Sequence, residues 1–205
     1  MIYILENVNE LDRDFLEKSH HLLSVQRAEK LKEYAVLSDK INGCAVYLLL
    51  RYGLKLEYGI AEKPVFAFRQ RGKPYIKNHD NIFFNFSHCK NVAACILSDK
   101  NTAIDIMEIR KVHSGVLRRT CSPNEISAIL SGGQPDRDFI KFWTRKECFS
   151  KLDGRGLLMD FSQINENLPQ MKYIHSLDSG EYIISYYSEK PVEISYINIQ
   201  NLLNI

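Results

Sequence analysis

The stretch "FWTRKECFSKLDGRGL", residues 142–157, combines a helical apolar pattern with closely spaced charges. Together with residues 138–141 it predicts a helix that Gly154 ends, with Trp143 in its apolar stripe. Glu147 and Lys151 fall one turn apart on the flank of this stripe, as in an ordinary surface ion pair worth about 0.3–0.5 kcal/mol. Lys146 falls within the stripe, so its ammonium group must either reach solvent or meet a carboxylate.

A second stretch, "TAIDIMEIRK" at residues 102–111, reads as a strand with a misplaced charge. The two-residue alternation of a strand puts Asp105 and Met107 on the face opposite Ile104 and Ile106. A carboxylate flanked by apolar side chains is costly to bury unless a cation or hydrogen-bond donors satisfy it. The sequence therefore predicts a bound cation or donor at Asp105.

Composition restricts the class of protein. A chain of 205 residues with 45% hydrophobic content can bury a core without disulfides, and 27 basic against 25 acidic residues favour neither nucleic acid nor a membrane surface as partner. The five cysteines form no C-x-x-C pair, and they indicate reduced thiols. Since neither a signal segment nor a membrane span is recognisable, we expect a soluble cytoplasmic protein.

The order of elements is helices and then strands, twice. Residues 1–5 predict a strand, residues 9–33 short helices, and Ser38 the cap of an apolar helix that Gly53 closes. Strands follow at 65–68, 82–87, 92–97 and 102–109, with a turn at 72–74. Ser122 and Glu125 form a capping-box pattern, and after the helix ending at Gly154 further strands lie within 171–177, 181–187 and 192–199.

The chain also contains a weak internal repeat at an offset of 90 residues. It places residues 96–109 over 186–199 with four identities in fourteen, which either a duplication or two generic hairpins would explain. Ser195 occupies the place equivalent to Asp105. Whatever Asp105 does is therefore done once.

Three further stretches are unremarkable when each is considered alone. Ser87 and His88 end the strand "FNFSH" without a nearby acid to suggest a hydrolase triad. Arg27 and Lys30 lie in a basic helical segment, which is usually a solvated helix face. The Gly72-Lys73-Pro74 stretch is ordinary turn chemistry.

In this order, however, the motifs together resemble the Sfp-type 4′-phosphopantetheinyl transferases. The resemblance runs from about Arg27 to Leu157, and its most specific part is Trp-x-x-Lys-Glu-x-x-x-Lys at 143–151, downstream of the Ile-Asp-Ile strand. It implies an α+β fold of two similar halves, 1–100 and 101–205, related by a pseudo-twofold axis with the active site in the cleft between them. It also implies transfer of the phosphopantetheine arm of coenzyme A to a serine of an acyl or peptidyl carrier protein, by an Mg²⁺-dependent monomer.

The resemblance implies roles for individual residues. Asp105 and Glu147 would hold Mg²⁺, a cation that prefers carboxylate oxygens, and Glu147 would activate the serine directly or through water. Lys151 would lie on the pyrophosphate. Coenzyme A would contact six further residues: Arg27 and Lys30 near the 3′-phosphate, Gly72 and Lys73 at the adenine pocket, and Ser87 and His88 at the phosphates. Glu125 falls where many relatives have another acid near the metal, so it is either that acid or only the capping-box partner of Ser122.

Two departures from the family pattern stand out. Met107 takes the place of a third acid, and a thioether is a poor ligand for Mg²⁺, although water can fill that position. The helix start "SDKINGC" lacks the Arg and Thr common around Asn42 and Gly43, which weakens a 3′-phosphate site there unless Lys40 compensates.

Two alternative functions remain open. One is a relative that binds coenzyme A or a carrier protein without efficient transfer. The other is an unrelated nucleotide-binding or interaction module, in which Glu147 and Lys151 form a mere surface pair.

Overall fold

A computed structural model describes the backbone of residues 1–205 and every side chain except that of Leu157. The protein is mixed α+β, as predicted, and its chain divides into two units. The first unit comprises Met1–Thr102 and Pro191–Ile205, and the second comprises Ala103–Lys190. The last segment thus returns to the first unit, whereas the sequence predicts a C-terminal half that includes it.

Sixteen helices and strands, apart from short 3-10 turns, follow one another along the chain. They are β1 (Ile2–Leu5), α1 (Arg13–Ser19), α2 (Val25–Lys32), α3 (Leu37–Tyr58), β2 (Phe66–Phe68), β3 (Pro74–Ile76), β4 (Phe83–His88), β5 (Ala93–Ser98), β6 (Ala103–Glu108), α4 (Ser114–Thr120), α5 (Pro123–Ser131), α6 (Pro135–Asp153), β7 (Ile174–Asp178), β8 (Tyr182–Tyr187), β9 (Ile194–Tyr196) and α7 (Ile199–Leu203).

The first unit is built on a four-stranded sheet with the order β4-β5-β1-β9. β1 runs antiparallel to β5, with Tyr3 opposite Cys95, and parallel to β9, with Tyr3 opposite Ser195. All four residues of β1 are buried, which fits an apolar strand inside the sheet. The pairing of β9 with β1 explains why the last segment belongs to this unit.

The apolar helix α3 runs further than its local signals predict. It has no side-chain cap at its start, and it ends at Gly59, which adopts a left-handed φ of 66°. The predictions that Ser38 caps the helix and that Gly53 closes it are therefore wrong. A Cβ at Gly53 would collide with Leu97 and come within 2.5 Å of the Tyr3 ring. Gly53 is thus a point of close helix–sheet contact inside the helix.

The predicted turn at 72–74 connects two short strands. β2 and β3 pair antiparallel, with Ala67 opposite Tyr75. Gly72 has a φ of 87°, a backbone conformation that residues with a side chain rarely adopt, so glycine suits this turn. Pro74 begins β3, a position in a strand that tolerates a missing N–H group.

The second unit repeats the order of a strand, helices and a hairpin. Its sheet has the order β6-β8-β7 and all its pairings are antiparallel. Helix α6 packs on all three strands, and α5 packs on α6. In the register of β6 with β8, Asp105 lies opposite Ser185 and Met107 opposite Ile183. This unit contains the two most specific motifs of the chain.

All five cysteines are free, as predicted, and four of them are buried. Among the residues the structure describes, none of the helices has the length and hydropathy needed to cross a bilayer.

Candidate functional site

Helix α6 presents two different faces. Gly154 ends it with a φ of 89°, as the sequence predicts, whereas its start at Pro135 lies three residues before the predicted one. Thr144 and Cys148 face the sheet, where the Thr144 hydroxyl lies 2.8 Å from that of Ser185 and the Cys148 thiol contacts the carbonyl of Ala103 at 3.5 Å. Lys146, on the other face, is 1% exposed. Both faces of the helix are therefore covered.

Asp105 meets a lysine from the sheet-facing side of α6. The Lys151 ammonium donates to Asp105 Oδ1 at 2.7 Å and to the Ile104 carbonyl at 3.1 Å. Asp105 is 6% exposed, so this cation meets the requirement that the sequence places on a buried carboxylate. The strand motif and the helix motif thus converge through Asp105 and Lys151.

Glu147 adds a second carboxylate to this cluster. The pKa of Glu147 is raised from an ordinary 4.5 to about 7, first by burial of its side chain and then by the negative charge of Asp105, while Lys151 acts in the opposite direction. The opposing influences place Glu147 close enough to feel both neighbours. Two carboxylates held together with one ammonium group form an electrostatic arrangement that favours a cation.

Met107 lies on the helix-facing side of β6 together with Asp105. It packs against a cluster that includes Leu117, Ile129 and Phe139, so its side chain lies in apolar surroundings. Among the residues that the structure describes, no group of three or more His, Cys, Asp or Glu side chains is arranged so that it could hold a metal ion. Beside Met107, the charged cluster thus contains two carboxylates, those of Asp105 and Glu147.

Glu125 and Lys146 form a buried ion pair, with Lys146 Nζ 2.7 Å from Glu125 Oε2. The predicted capping box is confirmed, since Ser122 N donates to Glu125 Oε2 at 2.7 Å and Glu125 N donates to Ser122 Oγ at 3.4 Å. Of the two outcomes predicted for Lys146, the structure shows the meeting with a carboxylate. One carboxylate oxygen thus serves both a helix cap and a buried ammonium group.

Arg27, in the first unit, is buried among aromatic rings. Its guanidinium carbon lies 5.2 Å from the centre of the Tyr47 ring, 5.3 Å from Phe66 and 5.7 Å from Phe86. Burial lowers the pKa of this guanidinium, and its Nε has no hydrogen-bond partner among the described residues. The sequence suggests an ordinary solvated helix face here, which is wrong for Arg27. Cation–π contact with three rings takes the place of a carboxylate partner.

Lys30, one turn further along α2, lies in a different environment. It is exposed and forms a 2.6 Å ion pair with Glu33. Gly43 lies where α3 approaches α2, because a Cβ there would come within 2.8 Å of Leu31 and 3.0 Å of Tyr34. A larger residue at position 43 would require these side chains to move.

The other predicted contacts with coenzyme A lie at the ends of strands. Ser87 is buried and His88 is exposed at the end of β4, opposite Ala94 and Ala93 of β5. The Lys73 ammonium, next to Gly72, donates to Asn101 Oδ1 at 2.7 Å and to the Thr102 carbonyl at 2.8 Å. Lys73 therefore holds the chain directly ahead of β6, the strand that carries Asp105.

The sequence does not predict a row of hydrogen-bonded hydroxyl groups next to Asp105. Ser185 Oγ lies 2.8 Å from Thr144 Oγ1 and 2.9 Å from Ser176 Oγ, and it lies opposite Asp105 in the sheet. Serine at an inward strand position is the only signal in the sequence, and it is a weak one. These bonds fix α6 to β8 beside the charged cluster.

Comparisons with known proteins agree with the motifs. Residues 102–194 match the sequence model of the 4′-phosphopantetheinyl transferase superfamily. A 4′-phosphopantetheinyl transferase of Bacillus subtilis is 27% identical over 150 residues, which cover 71% of this chain and 66% of that protein. A Bacillus pumilus relative of the same name is 23% identical over 211 residues, covering 94% and 90%. The Sfp protein of Bacillus subtilis strain 168 is 23% identical over 163 residues, covering 78% and 73%. The resemblance to the Sfp-type family predicted from the sequence is confirmed.

Proposed function

We propose that this chain is a 4′-phosphopantetheinyl transferase, which moves the phosphopantetheine arm of coenzyme A onto a serine of an acyl or peptidyl carrier protein: a bond from the serine oxygen to phosphorus forms, the pyrophosphate bond breaks, and adenosine 3′,5′-bisphosphate leaves. The observation that carries the proposal is the convergence of Asp105, Glu147 and Lys151 in one small cluster. All three residues lie in the segment that matches the superfamily. An unrelated module with a surface Glu147–Lys151 pair would not require a buried aspartate at the same place.

Asp105 and Glu147 fit Mg²⁺ as its protein ligands in this proposal. Their oxygens are hard donors, and the pKa of Glu147, raised in part by Asp105, reflects a repulsion that a dication would relieve. Bound Mg²⁺ would supply positive charge to neutralise the pyrophosphate of coenzyme A. Water would complete the coordination on the side where Met107 replaces a third acid.

The chain's own groups perform the remaining chemistry. Glu147, in its ionised form, accepts the proton of the attacking serine hydroxyl, directly or through water. Lys151, whose ammonium is already held at Asp105, offers positive charge to the pyrophosphate. Lys151 is therefore both a partner of the metal ligand and a contact for the substrate.

We assign the binding of coenzyme A to the first unit. Lys30 and His88 are exposed and can contact phosphate, and Ser87 adds a hydroxyl group at the same strand end as His88. Gly72 leaves the turn free of side-chain atoms, while Lys73 holds its chain position. Arg27 contributes its charge from among the aromatic rings, where low polarity strengthens an electrostatic interaction.

We place the enzyme with the Sfp type instead of the holo-acyl-carrier-protein synthase type, because the similarity to the Bacillus pumilus protein extends over 94% of the chain. We also propose that it acts as a monomer in the cytoplasm, where free thiols such as its five cysteines persist.

A second candidate function is a relative that binds coenzyme A or a carrier protein but transfers slowly. The apolar surroundings of Met107 favour this candidate, since only two acidic ligands remain for the metal. Turnover in the presence of Mg²⁺ separates the two functions, because both predict binding.

The test is the rate of transfer to an apo-carrier protein at millimolar Mg²⁺. Asp105→Ala and Glu147→Ala should each abolish transfer while the proteins stay folded, and Glu181→Ala, which removes an exposed carboxylate from the same unit, should not. Undiminished transfer by Asp105→Ala would overturn the metal assignment. A parent that binds coenzyme A without measurable transfer would leave the second candidate.

A further inference from the structure

The buried ion pair of Lys146 and Glu125 has no role in the proposed transfer chemistry. Lys146 is 1% exposed and Glu125 is 9% exposed, so both charges are removed from solvent. Burying a charge pair costs about as much as the attraction returns, and a well-packed apolar pair of similar volume often stabilises a fold equally well. Gain in stability alone therefore does not account for this pair.

The Lys146 ammonium uses all three of its N–H groups in hydrogen bonds. It donates to the Thr120 carbonyl at 2.8 Å, to Glu125 Oε2 at 2.7 Å and to the Phe161 carbonyl at 2.9 Å. An ammonium group has three N–H bonds, and each one here reaches a different segment of the chain. We call these segments the outer layer; they are α4, α5 and the 3-10 turn Phe161–Gln163. One lysine thus fixes the whole outer layer to α6.

Trp143 supports the same contact one turn earlier on the helix. Its ring stacks on Phe161 at 4.9 Å and on Phe139 at 6.2 Å between centroids. At 100° per residue, Lys146 lies about 160° around α6 from Thr144 and Trp143 about 100° from it, whereas Lys151 lies within about 20° of Thr144; Thr144 and Lys151 contact the sheet. In the motif Trp-x-x-Lys-Glu-x-x-x-Lys, Trp143 and Lys146 therefore contact the outer layer, whereas Glu147 and Lys151 belong to the charged cluster at Asp105.

Apolar contacts leave a helix freedom to roll and slide, whereas directed hydrogen bonds do not. On the sheet side, Thr144 is fixed to Ser185 and Lys151 to Asp105. On the opposite side, the Lys146 bonds fix the rotation of the helix against the outer layer. Glu147, next to Lys146 in the chain, has its direction set by that rotation.

We propose that Lys146 and Glu125 are positioning residues that lock the outer layer onto α6 and thereby set the orientation of Glu147 and Lys151 toward Asp105. The part concerning transfer rests on the proposed function. Glu125 acts in this account as a fixed acceptor, held by Lys146 and by Ser122 N, and neither binds the metal nor takes up a proton.

Fluorescence of Trp143, the only tryptophan, tests the lock without any activity measurement. Lys146→Met should increase the quenching of Trp143 by acrylamide, because Phe161 is released from the ring. Lys141→Met, which alters an exposed lysine on the same helix, is the matched control and should leave quenching unchanged. Equal quenching in the parent and in Lys146→Met would overturn the proposal.

Transfer kinetics then separate positioning from catalysis and from simple stability. Glu125→Gln keeps an acceptor for Lys146 and a capping-box side chain, so its transfer rate should stay within about threefold of the parent. The double variant Lys146→Met with Glu125→Leu should regain thermal stability relative to the single Lys146→Met, yet its kcat should be lower than the parent's by about 10- to 100-fold, with the KM for coenzyme A unchanged.

Two results would refute positioning. Loss of transfer in Glu125→Gln as severe as in Glu147→Ala would make Glu125 a catalytic or metal-binding acid. Full recovery of kcat together with stability in the double variant would reduce the pair to a structural contact. If the parent performs no transfer, the proposed function fails, and the quenching measurement still decides whether Lys146 holds the outer layer.

Discussion

Binding of Mg²⁺ should depend on pH through Glu147. Burial and the charge of Asp105 raise its pKa from an ordinary 4.5 to about 7 in the metal-free protein. A carboxyl group with that pKa is about 9% ionised at pH 6 and about 91% ionised at pH 8. Because the cation requires the ionised form, the dissociation constant for Mg²⁺ should fall about tenfold between these two pH values.

Titration calorimetry with Mg²⁺ alone, at pH 6, 7 and 8, measures this dependence. Glu147→Gln is the matched control: it keeps the size of the side chain but cannot ionise, so it should bind more weakly and with little dependence on pH in this range. An Mg²⁺ affinity of the parent that is the same at pH 6 and pH 8 would refute the reasoning. So would an equal pH dependence in Glu147→Gln.

The same pKa shift has a consequence for stability without metal. The folded-state pKa lies above the ordinary value, so the folded protein retains this proton while the unfolded chain loses it between pH 4.5 and 7. The contribution of Glu147 to the free energy of unfolding should therefore be greatest at low pH and fall as pH rises to about 7. Thermal melts of the metal-free parent and of Glu147→Gln should differ in this interval, and Mg²⁺ should reduce the difference.

Three further predictions concern Met107 beside the proposed metal site, the close packing at Gly53, and the exposed arginines of α4. Met107→Glu should lower the Mg²⁺ concentration needed for half-maximal transfer, since it adds a carboxylate on the face of Asp105; an unchanged midpoint would show that residue 107 does not border the ion. Gly53→Ala should lower the free energy of unfolding in urea by about 1–3 kcal/mol through overpacking, whereas Gly133→Ala, at an open position, should not. Replacing the exposed Arg118 and Arg119 by Gln should slow transfer to an acidic carrier protein at low salt and much less at high salt; rates that do not respond to salt would contradict electrostatic steering.

Local sequence patterns predict two helix boundaries of the second unit correctly, because several residues at each boundary indicate the same structure. The helix ending at Gly154 and the capping box of Ser122 and Glu125 both follow from short-range rules, and both are confirmed. The charge on the apolar face at Asp105 also predicts correctly that a partner is needed, and Lys151 provides one. Which lysine it would be depends on the packing of α6 against β6, which spacing along the chain does not determine.

Local patterns fail where a distant part of the chain decides. Gly53 resembles a helix end, but Tyr3 from β1 approaches so closely that only glycine fits within the helix. The placement of β9 beside β1 depends on pairing over almost the full length of the chain. Arg27 resembles a surface residue, and its burial becomes evident only when β2 and β4 bring Phe66 and Phe86 around it.

We propose that this chain transfers phosphopantetheine with the help of Asp105 and Glu147. The most direct measurement is the intact mass of an apo-carrier protein after incubation with this chain, coenzyme A and Mg²⁺. We expect a gain of one phosphopantetheine arm on one serine, and we expect this gain to be lost with excess chelator and lost in Glu147→Ala. A carrier protein whose mass stays unchanged, while a characterised 4′-phosphopantetheinyl transferase modifies the same sample, would contradict the claim, as would transfer that continues undiminished in chelator.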